Sequence, residues 1–130
     1  IFFADRYFGY DDAIYASLRL LEIVSGSGLS LSDILSDVPK TYTTPEIRID
    51  CPDAVKFKVV EIAKAHFRET FRIIDIDGVR VLFDDGWGLI RSSNTQPVLV
   101  LRFEASSPER LEAIRRQIEA VLKDIMANIH

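Results

Sequence analysis

The sequence predicts an α+β fold, an antiparallel four-stranded sheet with two helices on one face, preceded by a helical segment. Three observations carry this reading. From Glu46 onward the hydrophobic periods run strand, helix, three or four strands, helix. Two tight-turn signals, Asp77-Gly78 and Asp84-Asp85-Gly86, separate successive β-like runs, as in hairpins between neighbouring antiparallel strands. The last segment is a long amphipathic run whose apolar stripe needs a sheet to cover it.

The chain opens at Ile1-Phe2-Phe3 without an initiator Met, which reads as a piece of something longer. From Asp11 to Val24, Ile14, Leu18 and Leu21 recur at helical spacing, with Asp11 and Asp12 at the end where the helix dipole favours negative charge. Tyr15, Leu20 and Ile23 make this helix apolar over most of its circumference, as if a sheet that covered it were missing. Ser25-Gly26-Ser27-Gly28 ends it, and Ser30 with Asp33 three residues on starts a short helix through Leu35. Pro39 to Pro45 holds three threonines and a tyrosine with no helical period, and is read as the domain boundary.

Beyond the boundary, Glu46–Asp50 alternates as a half-buried strand. Pro52-Asp53 opens a helix to about Arg68, with Val59, Ile62, Ala63, His66 and Phe67 on one face. Phe71–Ile74, Val79–Phe83 and Trp87–Ile90 follow as strands, and Val98–Ala105 is the most strand-like run of all. Ser106 and Glu109 form a capping-box pair around Pro108, ahead of Leu111, Ile114, Ile118, Leu122 and Ile125.

A length of 130 residues suits one domain, or one domain plus part of a neighbour, and excludes a stand-alone repeat array. With 48% hydrophobic and 28% charged residues the chain is globular rather than disordered. A net charge of −4 and a pI near 5.1 give no whole-molecule attraction for nucleic acid or anionic membrane, so an anion site must be local. Apolar stretches fall short of the ~20 residues that span a bilayer. Cys51 alone excludes an internal disulfide and a Cys-rich zinc site. Together these predict a cytoplasmic protein without nucleic-acid or membrane partners.

The chemistry concentrates in Arg91-Ser92-Ser93-Asn94-Thr95-Gln96-Pro97, read as a loop between two strands. A phosphate dianion needs several convergent donors: Arg supplies a planar fork, while Ser, Thr, Asn and loop N–H groups fill the remaining oxygens. A polar hairpin loop in which Ser93 and Asn94 merely cap their own backbone is the other reading of the same residues.

From Asp77 to Glu104 the run D-G-V-R-V-L-F-D-D-G-W-G-L-I-R-S-S-N-T-Q-P-V-L-V-L-R-F-E closely resembles the last domain of the α-D-phosphohexomutases. The loop matches the R-x-S-N-T-x-P form of the bacterial phosphomannomutase/phosphoglucomutase branch, Asn94 standing where the phosphoglucosamine mutase branch has Gly. Ser92 and Gln96 stand where many members have Pro and Glu. Phe2–Leu21, with Arg6-Tyr-Phe-Gly-Tyr-Asp-Asp12, resembles the stretch directly after the family's sugar-binding motif. The resemblance implies residues 1–40 as the remnant of a third domain with its linker, and residues 41–130 as a C-terminal phosphate-binding domain of TATA-box-binding-protein-like fold. It implies an enzyme interconverting hexose 1-phosphate and hexose 6-phosphate through a phosphoserine and a bisphosphorylated sugar, with glucose 1,6-bisphosphate as activator or intermediate. Phosphoserine, Mg²⁺-binding aspartates and sugar-reading loop belong to the three preceding domains, so this portion is expected to be inactive alone, with no catalytic or metal-ligating residue of its own. Its implied share is to hold the non-reacting phosphate of mannose or glucose phosphates through Arg91, Ser93, Asn94 and Thr95, with a hinge at Thr41–Pro45 closing it over the site.

The other candidate residues have simpler readings. Asp75/Asp77 lacks further carboxylates at ligand spacing and reads as a turn rather than a metal site. Asp11/Asp12 reads as helix N-terminal charge rather than an acid pair, and His66 and His130 have no catalytic partner at motif spacing. Trp87 either packs or stacks on a sugar ring. Arg102, alone among apolar neighbours, points into a cleft beside the loop or pairs on Glu104's side. The rival to an enzyme part is a non-enzymatic α+β module using the free face of its sheet for a protein partner.

Overall fold

The computed structural model of the chain describes residues 2–129; Ile1 and His130, which the sequence reading singles out, lie outside them. The chain forms two compact units, Ile1–Pro39 and Lys40–His130.

In the first unit, α1 (Ala13–Ser27) starts at Asp12, whose side chain accepts a hydrogen bond from the Tyr15 N–H at 3.0 Å. The helix runs through the serines expected to end it. Ser25 and Ser27 hydroxyls donate back to the carbonyls of Glu22 and Val24, and the stop comes at Gly28 with φ 66°. Ser30 caps the single turn α2 (Leu31–Ile34). No residue of α1 is buried, and Ile14, Leu18 and Leu21 are exposed.

The second unit carries β1 (Tyr42–Thr43), β2 (Ile47–Asp50), α3 (Lys56–Arg68), β3 (Arg72–Ile74), β4 (Val79–Phe83), β5 (Gly86–Ser92), β6 (Val98–Ala105) and α4 (Pro108–Asn128). Its fold class is α+β, as the sequence predicts. The sheet is antiparallel throughout, in order β1-β6-β5-β4-β3 with β2 also on β6. It has six strands rather than four. The boundary segment contributes β1, which lies end to end with β2 along one edge of β6, from Tyr42 opposite Ala105 to Asp50 opposite Val98. Pro45 cannot donate to a ladder, so the edge breaks there. Thr44 bridges the break, its N–H donating to the Phe103 carbonyl at 3.0 Å and its hydroxyl accepting from the Phe103 N–H at 3.2 Å.

Alternation along β6 sends Leu99, Leu101, Phe103 and Ala105 into the core with Val79, Val81 and Ile90. Val59, Ala63 and Phe67 of α3 and Ile114, Ile118 and Leu122 of α4 join the same core. Fully burying each large aliphatic or aromatic side chain contributes about 1.5–3 kcal/mol. Gly88 lets α4 approach β5: a Cβ there would stand 2.3 Å from Ile118 Cδ1.

Three details of the sequence reading shift. The buried stripe of α3 is Lys56, Val59, Val60, Ala63 and Phe67; Ile62 and His66, four apart, form an exposed row beside it. Pro52 starts a turn, its carbonyl accepting from Val55 and Lys56, and the helix begins at Lys56. Ser107, not Ser106, caps α4 by accepting from the Arg110 N–H at 3.2 Å; the Ser106 N–H donates to the Asp85 carbonyl.

Candidate anion-binding loop after β5

β5 runs to Ser92, so Arg91 and Ser92 are strand residues and the loop proper begins at Ser93. Arg91 stands opposite Val100 and Ser92 opposite Leu99, whose side chain is in the core. The pleat therefore turns Arg91 to the face of the sheet away from the helices.

The loop is closed by its own hydrogen bonds. Ser93 N–H donates to the Val98 carbonyl at 3.0 Å, and Val98 N–H to the Gln96 carbonyl at 2.9 Å. The Ser93 hydroxyl oxygen accepts from the Thr95 N–H at 3.3 Å and the Gln96 N–H at 3.2 Å. This is the self-capping turn of the simpler reading, yet it leaves the hydroxyl proton to donate elsewhere. Ser93 is half-buried while Asn94 and Thr95 are exposed.

Arg91 donates to Asp77 at 3.2 Å, with side chains 40% and 71% exposed. An exposed ion pair of this kind contributes about 0–1 kcal/mol, so an incoming anion can replace the carboxylate. The β3–β4 turn brings Asp77 here because Gly78, at φ 76°, lies against β5. A Cβ at Gly78 would meet the Ile90 carbonyl oxygen at 2.2 Å and Arg91 Cβ at 2.7 Å. A depression of about 290 Å³ beside this turn is lined by Phe57, Asp77, Gly78, Ser92 and Asn94, among others. The structure thus joins Ser93 and Thr95 in one turn and places Asn94 on a wall shared with Asp77. It leaves Arg91 bonded to Asp77 rather than to the other three.

Two residues that sequence reasoning missed hold the loop from behind. The Arg48 guanidinium donates to the Gln96 side-chain oxygen at 2.7 Å, and the Lys56 ammonium to the Gln96 carbonyl at 3.0 Å. Lys56 had a signal in the sequence: three residues before Val59, it falls on the apolar stripe of α3. Arg48 had none, since β2 and the loop meet only through the sheet.

The remaining candidates are placed as follows. Asp75 pairs with Arg68 at 2.8 Å, and no group of three His, Cys, Asp or Glu side chains able to hold a metal occurs among the described residues. Asp12 caps α1, and its carboxyl is held below the usual range chiefly by the Tyr7 hydroxyl, whose own pKa is raised in turn. His66 is exposed, edge-on to Phe67. The Cys51 thiol is buried and its pKa pushed up by that burial. Trp87, half-buried and outside the core, carries the Arg80 guanidinium 4.2 Å above its ring. Arg102 is exposed on the helix-free face in the row of Leu89 and Arg80.

Comparison with known proteins agrees with this architecture. The family described as phosphoglucomutase/phosphomannomutase, C-terminal domain, matches residues 46–121, and its alpha/beta/alpha domain III matches residues 1–42. The chain belongs to the phosphoglucomutase/phosphomannomutase family. It is 47% identical over 126 residues to a phosphoglucomutase of Neisseria meningitidis, covering 95% of this chain and 27% of that protein. It is 44% identical to a phosphomannomutase/phosphoglucomutase of Pseudomonas syringae, covering 99% of this chain and 28% of the relative. A crystal structure of a family member from Burkholderia thailandensis superposes with TM-score 0.78 at 37% identity, covering 99% of this chain and 27% of that one. The chain thus spans about a quarter of the length of these relatives. No helix among the described residues is long and apolar enough to cross a membrane.

Proposed function

We propose that this chain is the phosphate-holding portion of a phosphomannomutase/phosphoglucomutase that interconverts hexose 1-phosphate and hexose 6-phosphate. The reaction runs through a phosphoserine in a part of the enzyme outside this chain, which gives its phosphoryl group to the hexose phosphate to form a bisphosphorylated sugar and takes one back from the other position. Residues 1–40 are the end of the third domain, and residues 41–130 form the domain that holds the phosphate that is not reacting. The observation that carries this reading is the loop after β5: a guanidinium on an exchangeable carboxylate, followed directly by a turn with a spare hydroxyl proton and two exposed polar side chains.

In this reading Arg91 supplies charge, while Ser93, Asn94 and Thr95 fix orientation. Binding energy is thereby spent at a distance from the reacting phosphorus to position it. Because the same donors hold either phosphate of the bisphosphorylated sugar, one site serves both half-reactions. The segment Thr41–Pro45 acts as the hinge by which the domain closes over substrate. In this reading the Mg²⁺ of the enzyme is held by the preceding domains. The partners are a mannose or glucose phosphate and the enzyme's other domains, in the cytoplasm.

The test is Arg91→Ala in the intact enzyme, assayed on mannose and glucose 1-phosphates. Charge-assisted hydrogen bonds are worth roughly 1.5–3 kcal/mol, which predicts a fall in kcat/KM of about 10–100-fold with a raised KM and an unchanged melting temperature. Wild-type KM and kcat in the variant would sink the assignment.

A further inference from the structure

A lysine on the buried stripe of a helix is costly unless its ammonium finds partners. Lys56, 3% exposed at the start of α3, finds two. Its Nζ lies 2.6 Å from an Asp53 carboxylate oxygen and donates to the Gln96 carbonyl at 3.0 Å, with the Phe57 ring centroid 5.2 Å away. Asp53, 70% exposed and in the preceding turn, is a local partner; Gln96 is 40 residues away in the candidate anion loop.

A loop that receives an anion must turn its carbonyl oxygens away from it, because each carbonyl facing the ligand repels it. The next two links of this loop do so. The Gln96 carbonyl is taken by Lys56 and Val98, and the Pro97 carbonyl by the Cys51 N–H at 2.8 Å. In the peptide unit before that of the Gln96 carbonyl, the Gln96 N–H donates to the Ser93 hydroxyl oxygen at 3.2 Å.

We propose that Lys56 is a positioning residue of the anion loop: its buried ammonium anchors the Gln96 carbonyl to α3 and so sets the Ser93–Thr95 donors before the anion arrives. The inference rests on the phosphate-holding reading and deepens it. Lys56 acts on the ligand only through the loop, by its contact with the Gln96 carbonyl. Lys56→Met keeps the stem in the core and leaves no buried charge unpaired, because Asp53 is 70% exposed and solvated by water and the Gln96 carbonyl keeps the Val98 N–H.

The experiment is an amide-resolved NMR titration of the 130-residue chain with inorganic phosphate, for wild type, Lys56→Met, Lys56→Arg and Gln96→Ala. Lys56→Met is expected to weaken phosphate about tenfold, the size of one charge-assisted hydrogen bond. It should also speed hydrogen exchange at Thr95 and Gln96 while β6 and α4 keep their protection. Lys56→Arg restores most of the affinity. Gln96→Ala, which keeps the main-chain carbonyl and loses only the contact with Arg48, stays within about twofold of wild type, because the anchor acts on the backbone. A wild-type response that Lys56→Met leaves unchanged overturns the proposal alone, and so does a general loss of protection across β6 and α4, which would make Lys56 a core residue. A wild-type chain with no response at Ser93–Gln96 overturns the phosphate-holding reading and this proposal together.

Discussion

Gly78 is where the architecture of the sheet and the geometry of the candidate site meet, and Gly78→Ala tests both. Its φ of 76° lies in the left-handed region, which costs an L-residue roughly 1–2 kcal/mol. The added Cβ would also stand 2.2 Å from the Ile90 carbonyl oxygen and 2.8 Å from Arg91 Cα. Both are backbone atoms of β5, held in register by β4 and β6, so relief requires the turn to lift away. Overpacking of this kind costs typically ~1–3 kcal/mol, for a total of about 2–5 kcal/mol. In a domain of this size each kcal/mol moves the melting temperature by ~4–8 °C, so a fall of about 8–40 °C is expected in the Lys40–His130 unit. The assay is thermal melting followed at resolved amides, with the Arg91 amide shift as the local readout. A Gly78→Ala chain melting within about 3 °C of wild type, with the Arg91 amide unmoved, would refute the close-approach argument.

Two further outcomes concern the closure of α4 on the sheet. Asp85 receives Arg110 Nε and Nη2, and its carboxyl is held below the usual range chiefly by that hydrogen bond. A depressed folded-state pKa contributes stability that is present above the unfolded value of ~3.9 and lost as pH falls through the lower folded value. Asp85→Asn should therefore melt below wild type at pH 7, with the gap closing as the pH drops below ~4; a gap constant down to pH 2 would show that the pair is not the cause. Ser107→Ala should cost about 1 kcal/mol by urea unfolding, the usual loss for an N-cap, whereas Ser106→Ala, exposed and not the cap, should stay within about 0.5 kcal/mol. Equal losses would contradict the assignment of the cap.

Much of the fold was legible because its signals are local. The alternation of Val98–Ala105 and the turn chemistry of Asp77-Gly78 are written within a few residues, and they mark the strands of the central sheet. The 3.6-residue period of α4 is as plain, but its cap was read one residue early because Ser106 and Ser107 offer the same hydroxyl. What competes between neighbouring chemical equals is decided by backbone geometry: the Ser106 main-chain N–H pairs with the Asp85 carbonyl, and the Ser107 hydroxyl is the one that accepts from the Arg110 N–H. Strand β1 was hidden for a different reason. Two residues carry no period, and Tyr42–Thr43 is a strand only because β6 is long enough to leave an edge for it.

The candidate site divides along the same line. The candidate donors of the proposed site, Arg91, Ser93, Asn94 and Thr95, are named by the sequence alone through its resemblance to the family's loop motif, because residue types at fixed spacing are a property of the chain. Only the tertiary structure decided that Arg91 is a strand residue on the helix-free face, bonded to Asp77, and that the loop is anchored by Lys56 and Arg48. Those contacts join residues 14 to 48 positions apart. Hydrogen bonds and ion pairs act over a few ångströms in space, and no local pattern encodes which distant segments the packed sheet will bring that close.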